Sequence, residues 1–266
     1  MKRRYEHTVK NFKVDAGEKN QADRRLFNHI GDIKMKNNVQ ADSKNRKSSI
    51  FNLLCVALFL GSIWGFFEVV FKDALAMGGQ PLTAALMTGL GVFIMSVGYR
   101  IFKNAGIFLM ISLFTIMARM VIVPVLGCSP ICRANAVVAL LILGTSSTLA
   151  FGLSSRYIKN TAKWGGGVAG AAVLVSGVSF YYAGLACAPC PYLLQLSAGG
   201  LSNFMAMEVV YWALFSGILF YPGYQLGRYA QAFFSSLRIN RPAFYYTGLL
   251  AASALFVLST GLIVLT

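Results

Sequence analysis

Two short cysteine clusters hold the residues of this chain that could carry out thiol chemistry. The first reads Leu126-Gly-Cys128-Ser-Pro-Ile-Cys132, and the second reads Leu185-Ala-Cys187-Ala-Pro-Cys190. Each cluster follows a long apolar run, and the two have nearly the same pattern of leucine, small residues, proline and paired cysteines. Four thiols in this arrangement could form disulfides, exchange disulfides with a partner, or bind a soft metal ion.

Three uses of these cysteines remain open from the sequence. On an oxidising face of a membrane, disulfides are the plain expectation. A bridge within Cys187–Cys190 is possible but strained, and a cross-link between the two clusters is geometrically easier. Thiol–disulfide exchange is the second, because Cys190 directly precedes a helix start predicted at Pro191, and a helix N-terminus favours the thiolate. A four-thiolate metal site also fits the ligand count, although nothing in the sequence requires a metal. The histidines, His7 and His29, lie in the amino-terminal tail, away from the cysteines. The fifth cysteine, Cys55, is predicted to be a small packing residue.

Ionisable residues inside apolar segments form the second group that could do chemistry. Glu68, Arg119 and Glu208 each lie within a long apolar run, where a charge is costly enough to suggest a function. We expect Arg119 to pair with Glu68 or Glu208, which leaves one acid unmatched. A cavity around these charges would suit a small polar solute. The predicted substrate-binding set is Glu68, Arg119, Glu208, Trp64, Asn135 and Asn203, with further aromatic residues at similar depth: Phe67, Tyr181, Tyr182, Tyr211 and Trp212.

The composition indicates which elements must position these residues. The chain of 266 residues is 56 % hydrophobic and 12 % charged, which is typical of a polytopic membrane protein. Its net charge of +15 is divided between a tail and short loops: residues 1–48 hold 13 of the 24 Lys and Arg residues and six of the nine acids, and most of the other basic residues lie in loops between apolar runs. Nucleic-acid binding is therefore disfavoured, since a basic excess in a tail and in short loops is what membrane topology requires.

Seven apolar stretches are long enough to cross a bilayer, which needs about 20 residues per helix. They cover residues 50–71, 82–100, 105–126, 134–154, 165–186, 202–222 and 245–266. We expect Gly199-Gly200 to separate the sixth span from a short interfacial piece at 191–198. The sequence thus predicts an all-α bundle of about seven transmembrane helices.

The basic residues of the loops predict the orientation. One set of alternating loops carries eight basic residues, and the other set carries only Lys72 and Arg133. Because positive charge collects on the cytoplasmic side, we expect the N-terminus inside and the C-terminus outside. Both cysteine clusters and all three intramembrane charges then lie towards the outer face. The eight are Arg100, Lys103, Arg156, Lys159, Lys163, Arg228, Arg238 and Arg241.

Two regions follow from the same reading. Residues 1–48 are predicted to be a basic, polar, cytoplasmic and largely disordered tail, and residues 49–266 the transmembrane bundle. The first apolar run starts too far from Met1 for a cleavable leader. From the number of apolar runs we expect a multi-pass protein of a bacterial inner or plasma membrane. The sequence has no phosphate-binding Gly-x-x-x-x-Gly-Lys loop, no His-Glu-x-x-His and no Gly-x-Ser-x-Gly. A non-enzymatic role is favoured, and no cofactor is required.

Two segments give the chain a family resemblance. Gly61-Ser-Ile-Trp-Gly65-Phe-Phe-Glu68 ends the first span, and Cys132-Arg-Ala-Asn135-Ala opens a later hairpin. In these segments, and in size and density of spans across residues 50–230, the chain resembles the membrane-embedded substrate-capture subunits (S components) of energy-coupling-factor transporters. The resemblance implies uptake of a vitamin-like or precursor solute from outside, with a transmembrane coupling protein and paired cytoplasmic ATPases as partners.

The sequence therefore favours two functions from different classes. The first is solute capture or transport through an outward-facing cavity that contains Glu68, Arg119 and Glu208. The second is a membrane thiol-redox or soft-metal-handling protein that works through Cys128, Cys132, Cys187 and Cys190. A subunit or scaffold of a larger membrane complex is a third, plainer option.

Overall fold

The computed structural model describes residues 50–70, 80–122, 130–155, 161–187, 194, 199–240 and 242–265. These residues form seven helices, and none of them lies in a β-strand. The sixth helix, α6, consists of Gly200–Phe204, a π-helical segment at Met205–Val209, and Val210–Asn240. The others are α1 Ile50–Val70, α2 Gln80–Phe102, α3 Gly106–Ile122, α4 Pro130–Ser154, α5 Thr161–Cys187 and α7 Pro242–Leu265.

Five of these helices are long and apolar enough to span a membrane. The qualifying stretches are Ile50–Val70, Leu82–Phe102, Ala134–Ser154, Ala162–Ala186 and Gly200–Ser236. The apolar stretches in α3 and α7, Gly106–Met120 and Tyr245–Leu258, are shorter among the residues searched. An all-helical membrane protein is thus what the structure supports, while seven crossings and their orientation stay a prediction.

Contacts between helices show that α2 and α6 run in the same direction. A side chain at Gly89 of α2 would meet Phe215 and Leu219 of α6. A side chain at Gly227, later in α6, would meet Val97 and Arg100, later in α2, so residue numbers rise in the same direction along both helices. Neighbouring α5 runs against α6, because its Gly166 faces Gly217 while its later Gly177 faces the earlier Val209. These directions agree with a chain that reverses at each turn from α2 to α6.

Glycines allow the closest helix approaches in the bundle. At Gly61 of α1, an added Cβ would lie 2.9 Å from the backbone oxygen of Ile111 on α3, where the Thr115 hydroxyl also donates to Gly61 O at 3.1 Å. At Gly166 of α5, an added Cβ would lie 2.6 Å from Gly217 O on α6. Gly61 and Gly166 therefore let neighbouring helices pack backbone against backbone.

The sixth helix begins where the sequence places a break, but it ends later than predicted. Gly200 starts the helix with φ +76, a left-handed conformation that glycine adopts without steric cost. The helix then continues through Pro222 to Asn240 instead of ending near 222. The next residue, Gly223, packs closely against Phe93 and Ser96 of α2. Its 37-residue stretch Gly200–Ser236 measures about 55 Å, longer than a hydrocarbon core of about 30 Å.

A column of aromatic rings fills the bundle near the end of α2 and the start of α3. Successive ring centroids are 5.3 Å apart for Tyr99–Phe108, 4.8 Å for Phe108–Phe151 and 5.1 Å for Phe151–Phe220. Phe108, Phe151 and Phe220 are each almost fully buried. This end of the bundle is therefore solidly packed, and open space occurs towards the other end.

Candidate functional site

An ion pair joins the first and third helices in the interior of the bundle. The guanidinium Nη1 of Arg119 donates to Glu68 Oε2 at 2.8 Å, and the two side chains are only 5 % and 13 % exposed. Close contact between α1 and α3 positions the pair, because Gly65 packs against Ala118, the residue beside Arg119. Arg119 thus pairs with Glu68 rather than with Glu208. The pair is neutral overall, which lowers the cost of holding both charges among apolar helices.

A cavity of about 200 Å³ lies beside this ion pair. It is located where α1, α3 and α5 approach their C-terminal ends and α2, α4 and α6 begin, so six helices contribute to its wall. Most of that wall is apolar. The lining residues are Trp64, Glu68, Thr83, Ala84, Met87, Thr88, Arg119, Asn135, Ala136, Ala139, Leu140, Leu143, Val173, Ser176, Phe180, Phe204 and Trp212.

Trp64 presents its indole to the cavity from a fixed position. The side chain is 1 % exposed, and its ring fills the space that a Cβ would need at Gly91 of α2. Trp64 lies one helical turn before Glu68, so both side chains project from the same face of α1. Among the described residues, no acceptor reaches Trp64 Nε1, and the same is true of Arg119 Nε. Both N–H groups are buried, with almost no surface of their own open to the cavity.

Glu208 is fully buried in the π-helical segment of α6. Its Oε2 accepts a hydrogen bond of 3.1 Å from Nε1 of Trp212, one helical turn later. Trp212 lines the cavity, whereas Glu208 is not among the described residues that do. Glu208 therefore affects the cavity through the position of the Trp212 indole. Short π-helical segments of this kind occur frequently at functional sites.

The structure brings together four of the six predicted substrate-binding residues. Glu68, Arg119, Trp64 and Asn135 all line the cavity, although they come from three different helices. Asn203 lies in the first turn of α6 on an exposed face, outside the set of described residues that line the cavity. Whether any of the six binds a substrate stays a prediction.

The aromatic residues that were predicted to lie at the depth of the cavity have different surroundings. Trp212 contacts the cavity together with two rings that the sequence reading did not select, Phe180 and Phe204. Their centroids lie 6.2 Å and 5.8 Å from that of Trp212. Tyr182 and Tyr211 are instead about half exposed on the outer surface of the bundle.

The sequence did not predict the aliphatic residues that line the cavity. Met87, Leu140, Leu143 and Val173 line the cavity but look in the sequence like any other core residue. In an almost uniformly apolar helix, periodicity cannot separate a face towards a cavity from a face towards lipid. The usable signal came from charged, amide and indole side chains such as Arg119, Asn135 and Trp64.

The cysteine clusters fall largely outside the described part of the chain. Cys128 and Cys190 lie outside the described residues, and Cys132 and Cys187 are described only as helical backbone. The disulfide, redox and metal interpretations of these four cysteines therefore stay predictions. Cys55 is buried in the core and is a free thiol. The described residues contain no group of three or more His, Cys, Asp or Glu side chains placed to hold a metal ion.

The function of the chain is inferred from the geometry of the site, because comparisons with known proteins found no match. No protein-family model, no curated protein and no solved structure matches the chain. An apolar cavity that contains a few buried polar groups is the usual form of a small-molecule site. The cavity beside Glu68 and Arg119 has that form.

Proposed function

We propose that this integral membrane protein captures a small solute in the cavity beside the Glu68–Arg119 ion pair, as a solute-binding or transport protein. The observation that carries the proposal is a cavity of about 200 Å³ lined both by that pair and by the buried side chain of Trp64. Ionisable residues within membrane segments mark solute pathways more often than plain packing positions.

The composition of the wall supports binding. Apolar side chains such as Leu140, Leu143 and Phe180 provide contact area, and the few polar groups among them can orient a ligand. The helices that form the wall meet through glycine contacts and a filled aromatic core, so the site is held on rigid elements. A preformed site loses little conformational entropy when it binds.

The charge pattern of the chain supports an outward-facing cavity. Arg100 and Lys103 lie at the C-terminal end of α2, whereas the cavity includes Thr83 and Ala84 near its N-terminal end. Under the positive-inside rule, the end with Arg100 and Lys103 is cytoplasmic. We infer that a solute enters from the extracytoplasmic side of a bacterial inner or plasma membrane.

Energy coupling through partner proteins is part of the same proposal. The resemblance to the substrate-capture subunits of energy-coupling-factor transporters rests on the segment that ends in Glu68 and on the one that contains Asn135, and both residues line the cavity. A transmembrane coupling protein and cytoplasmic ATPases would then drive release of the solute.

A pair of matched variants tests the function. Ala139 lines the cavity, whereas Ala171 lies on the exposed surface of α5. We expect Ala139→Phe to fill the cavity and Ala171→Phe to leave it open. Cells that produce each protein are given a defined mixture of amino acids, water-soluble vitamins and uncharged ring compounds, and intracellular accumulation is measured by mass spectrometry.

Production of the wild-type protein should raise accumulation of at least one compound above that of cells lacking it. The Ala171→Phe protein should match the wild type, and the Ala139→Phe protein should not exceed the background. Equal accumulation by both variants, with equal amounts of protein in the membrane, would contradict the proposal.

A further inference from the structure

The basic residues at the end of the bundle opposite the cavity exceed the acids that the chain can bring to them. Residues 49–266 contain three acids in all. Glu68 and Glu208 lie at the cavity end, and Asp73 follows Glu68 by only five positions. Residues 1–48 carry more basic than acidic residues, 13 against six. The chain itself therefore leaves the opposite end with an excess of positive charge.

Three basic residues come together at that end, where α2 finishes beside α6. A Cβ at Gly227 would lie 2.7 Å from the Cβ of Arg100, and Arg228 is the next residue along α6. Lys103 follows Arg100 by three positions, and its backbone N–H donates to Tyr99 O at 2.7 Å, so it still continues the last turn of α2. Residues three apart on a helix have Cβ atoms about 5–6 Å from each other. The backbone thus holds all three basic residues close together.

The side chains of this cluster have different roles. Arg100 Nη1 donates to Tyr224 Oη at 3.2 Å, and its guanidinium lies 5.1 Å from the centroid of the same ring. Tyr224 therefore fixes the position of the Arg100 charge without neutralising it. Arg100 Nε is buried, so that atom is closed to a ligand. Lys103 and Arg228 are both exposed and can contact a ligand directly.

Aromatic residues mark this level of the bundle as the boundary between hydrocarbon and headgroups. Trp164 of α5 and Tyr221 and Tyr229 of α6 are each more than half exposed. Trp164 and Tyr221 lie at one level, because their neighbours along the two helices pack against each other. The Arg228 guanidinium lies 5.5 Å from the centroid of the Tyr229 ring. Since exposed Trp and Tyr collect at the membrane interface, the basic cluster lies at the level of lipid headgroups.

An exposed apolar face of α6 leads along the helix to the cluster. Leu214, Tyr221 and Arg228 are spaced seven positions apart, which places them on one face of the helix, with Ile218 between them. All four side chains are exposed. From Ile218 to Arg228 the helix rises about 15 Å, half the thickness of a hydrocarbon core of about 30 Å. An acyl chain on this face therefore brings its headgroup to Arg228.

We propose that Arg100, Lys103 and Arg228 form a binding site for the headgroup of an anionic phospholipid, whose acyl chain lies along α6. Lys103 and Arg228 contact the phosphate, and Arg100 adds a fixed positive charge behind them. Basic pockets between membrane helices bind anionic headgroups in this way. The inference concerns the end of the bundle away from the cavity and does not depend on solute binding.

Native mass spectrometry of the full chain, purified in detergent and freed of lipid, tests the class of ligand. The protein is titrated with phosphatidylglycerol and with phosphatidylethanolamine of the same acyl chains, which share a phosphate but differ in net charge. Phosphatidylglycerol should bind at least about fivefold more tightly, and added salt should weaken its binding. Equal affinity for the two lipids would overturn an anionic site.

Substitutions of exposed residues locate the site. Lys103→Gln and Arg228→Gln should each weaken phosphatidylglycerol binding about fivefold, and together about thirtyfold, the usual weight of basic residues near a headgroup. Lys163→Gln is the matched control, because Lys163 is an exposed cation at the same end of the bundle but on α5. It should leave the affinity near that of the wild type. Equal losses from Lys163→Gln and Arg228→Gln would mean a general attraction to positive charge and no site.

Two further measurements separate the remaining possibilities. Glycerol phosphate, which carries the same phosphate without acyl chains, should not displace phosphatidylglycerol even in large excess; displacement would assign the cluster to a soluble anion instead. Arg100→Gln should weaken binding about fivefold, whereas Arg100→Lys keeps the charge and should bind as the wild type does. Equal losses from these two variants, both folded by thermal unfolding without lipid, would contradict the role of Arg100 as a fixed charge.

Discussion

At the scale of single residues, the Glu68–Arg119 pair is the main feature of the site. Its two members are 51 positions apart in sequence and meet at 2.8 Å inside the bundle. The sequence predicted a partner for Arg119 because an unpaired charge among apolar helices is costly. It could not choose between Glu68 and Glu208, since the choice depends on which helices touch. Contact between α1 and α3 makes Glu68 the partner of Arg119.

Removal of both members of the ion pair together should cost little stability but should abolish binding. Arg119→Met leaves Glu68 buried without its partner, so we expect a loss of about 3 kcal/mol in the free energy of unfolding. The double variant Glu68→Met/Arg119→Met removes both charges and should regain most of that loss. Unfolding in mixed detergent micelles measures the stability of each protein.

Solute accumulation in the same variants supplies the second readout. The double variant should accumulate no solute even though its stability is restored, because both charged groups beside the cavity are gone. Undiminished accumulation by that variant would assign the pair a purely structural role.

At the scale of elements, glycines determine how closely the helices that carry the site can approach. Gly166 of α5 touches the backbone of α6, whereas the next residue, Gly167, faces open space. Small residues that recur at helical spacing favour close helix packing. The sequence alone cannot indicate which of the consecutive glycines 165–167 contact α6, since that depends on the rotation of α5 about its own axis.

These adjacent glycines offer a matched test of helix packing. Gly166→Ala places a Cβ 2.6 Å from Gly217 O, so the two helices must separate, at a cost of about 1–3 kcal/mol in stability. Gly167→Ala should be neutral or stabilising by up to about 1 kcal/mol, because alanine favours the helix and meets nothing. Thermal unfolding in detergent compares the two proteins. Equal destabilisation by both changes would refute the packing of α5 on α6 described here.

At the scale of the whole molecule, the apolar helices make this a membrane protein, and the order of its helices places the cavity at one end of the bundle. The all-helical class could be predicted because long apolar runs have few alternatives to helix. The length of α6 could not be predicted, because proline usually ends or kinks a helix, and here the helix continues past Pro222 to Asn240. The cavity itself is a property of six helices together, so no local pattern encodes its apolar wall.

The orientation of the bundle is open to a direct check. With the N-terminus inside and seven crossings, the C-terminus lies outside. Alkaline phosphatase fused after Thr266 should therefore be active, and green fluorescent protein fused there should not fluoresce. Fusions after Lys103, which follows α2, should give the opposite pattern. A fluorescent C-terminal fusion would mean an even number of crossings or an inverted bundle.

The claim that the cavity beside Glu68, Arg119 and Trp64 is a solute site can be tested most directly on purified protein. Native mass spectrometry of the wild-type, Ala139→Phe and Ala171→Phe proteins, each exposed to the same metabolite mixture, shows whether a small molecule stays bound. We expect a bound molecule on the wild-type and Ala171→Phe proteins and none on Ala139→Phe. The same molecule retained by all three proteins would contradict it.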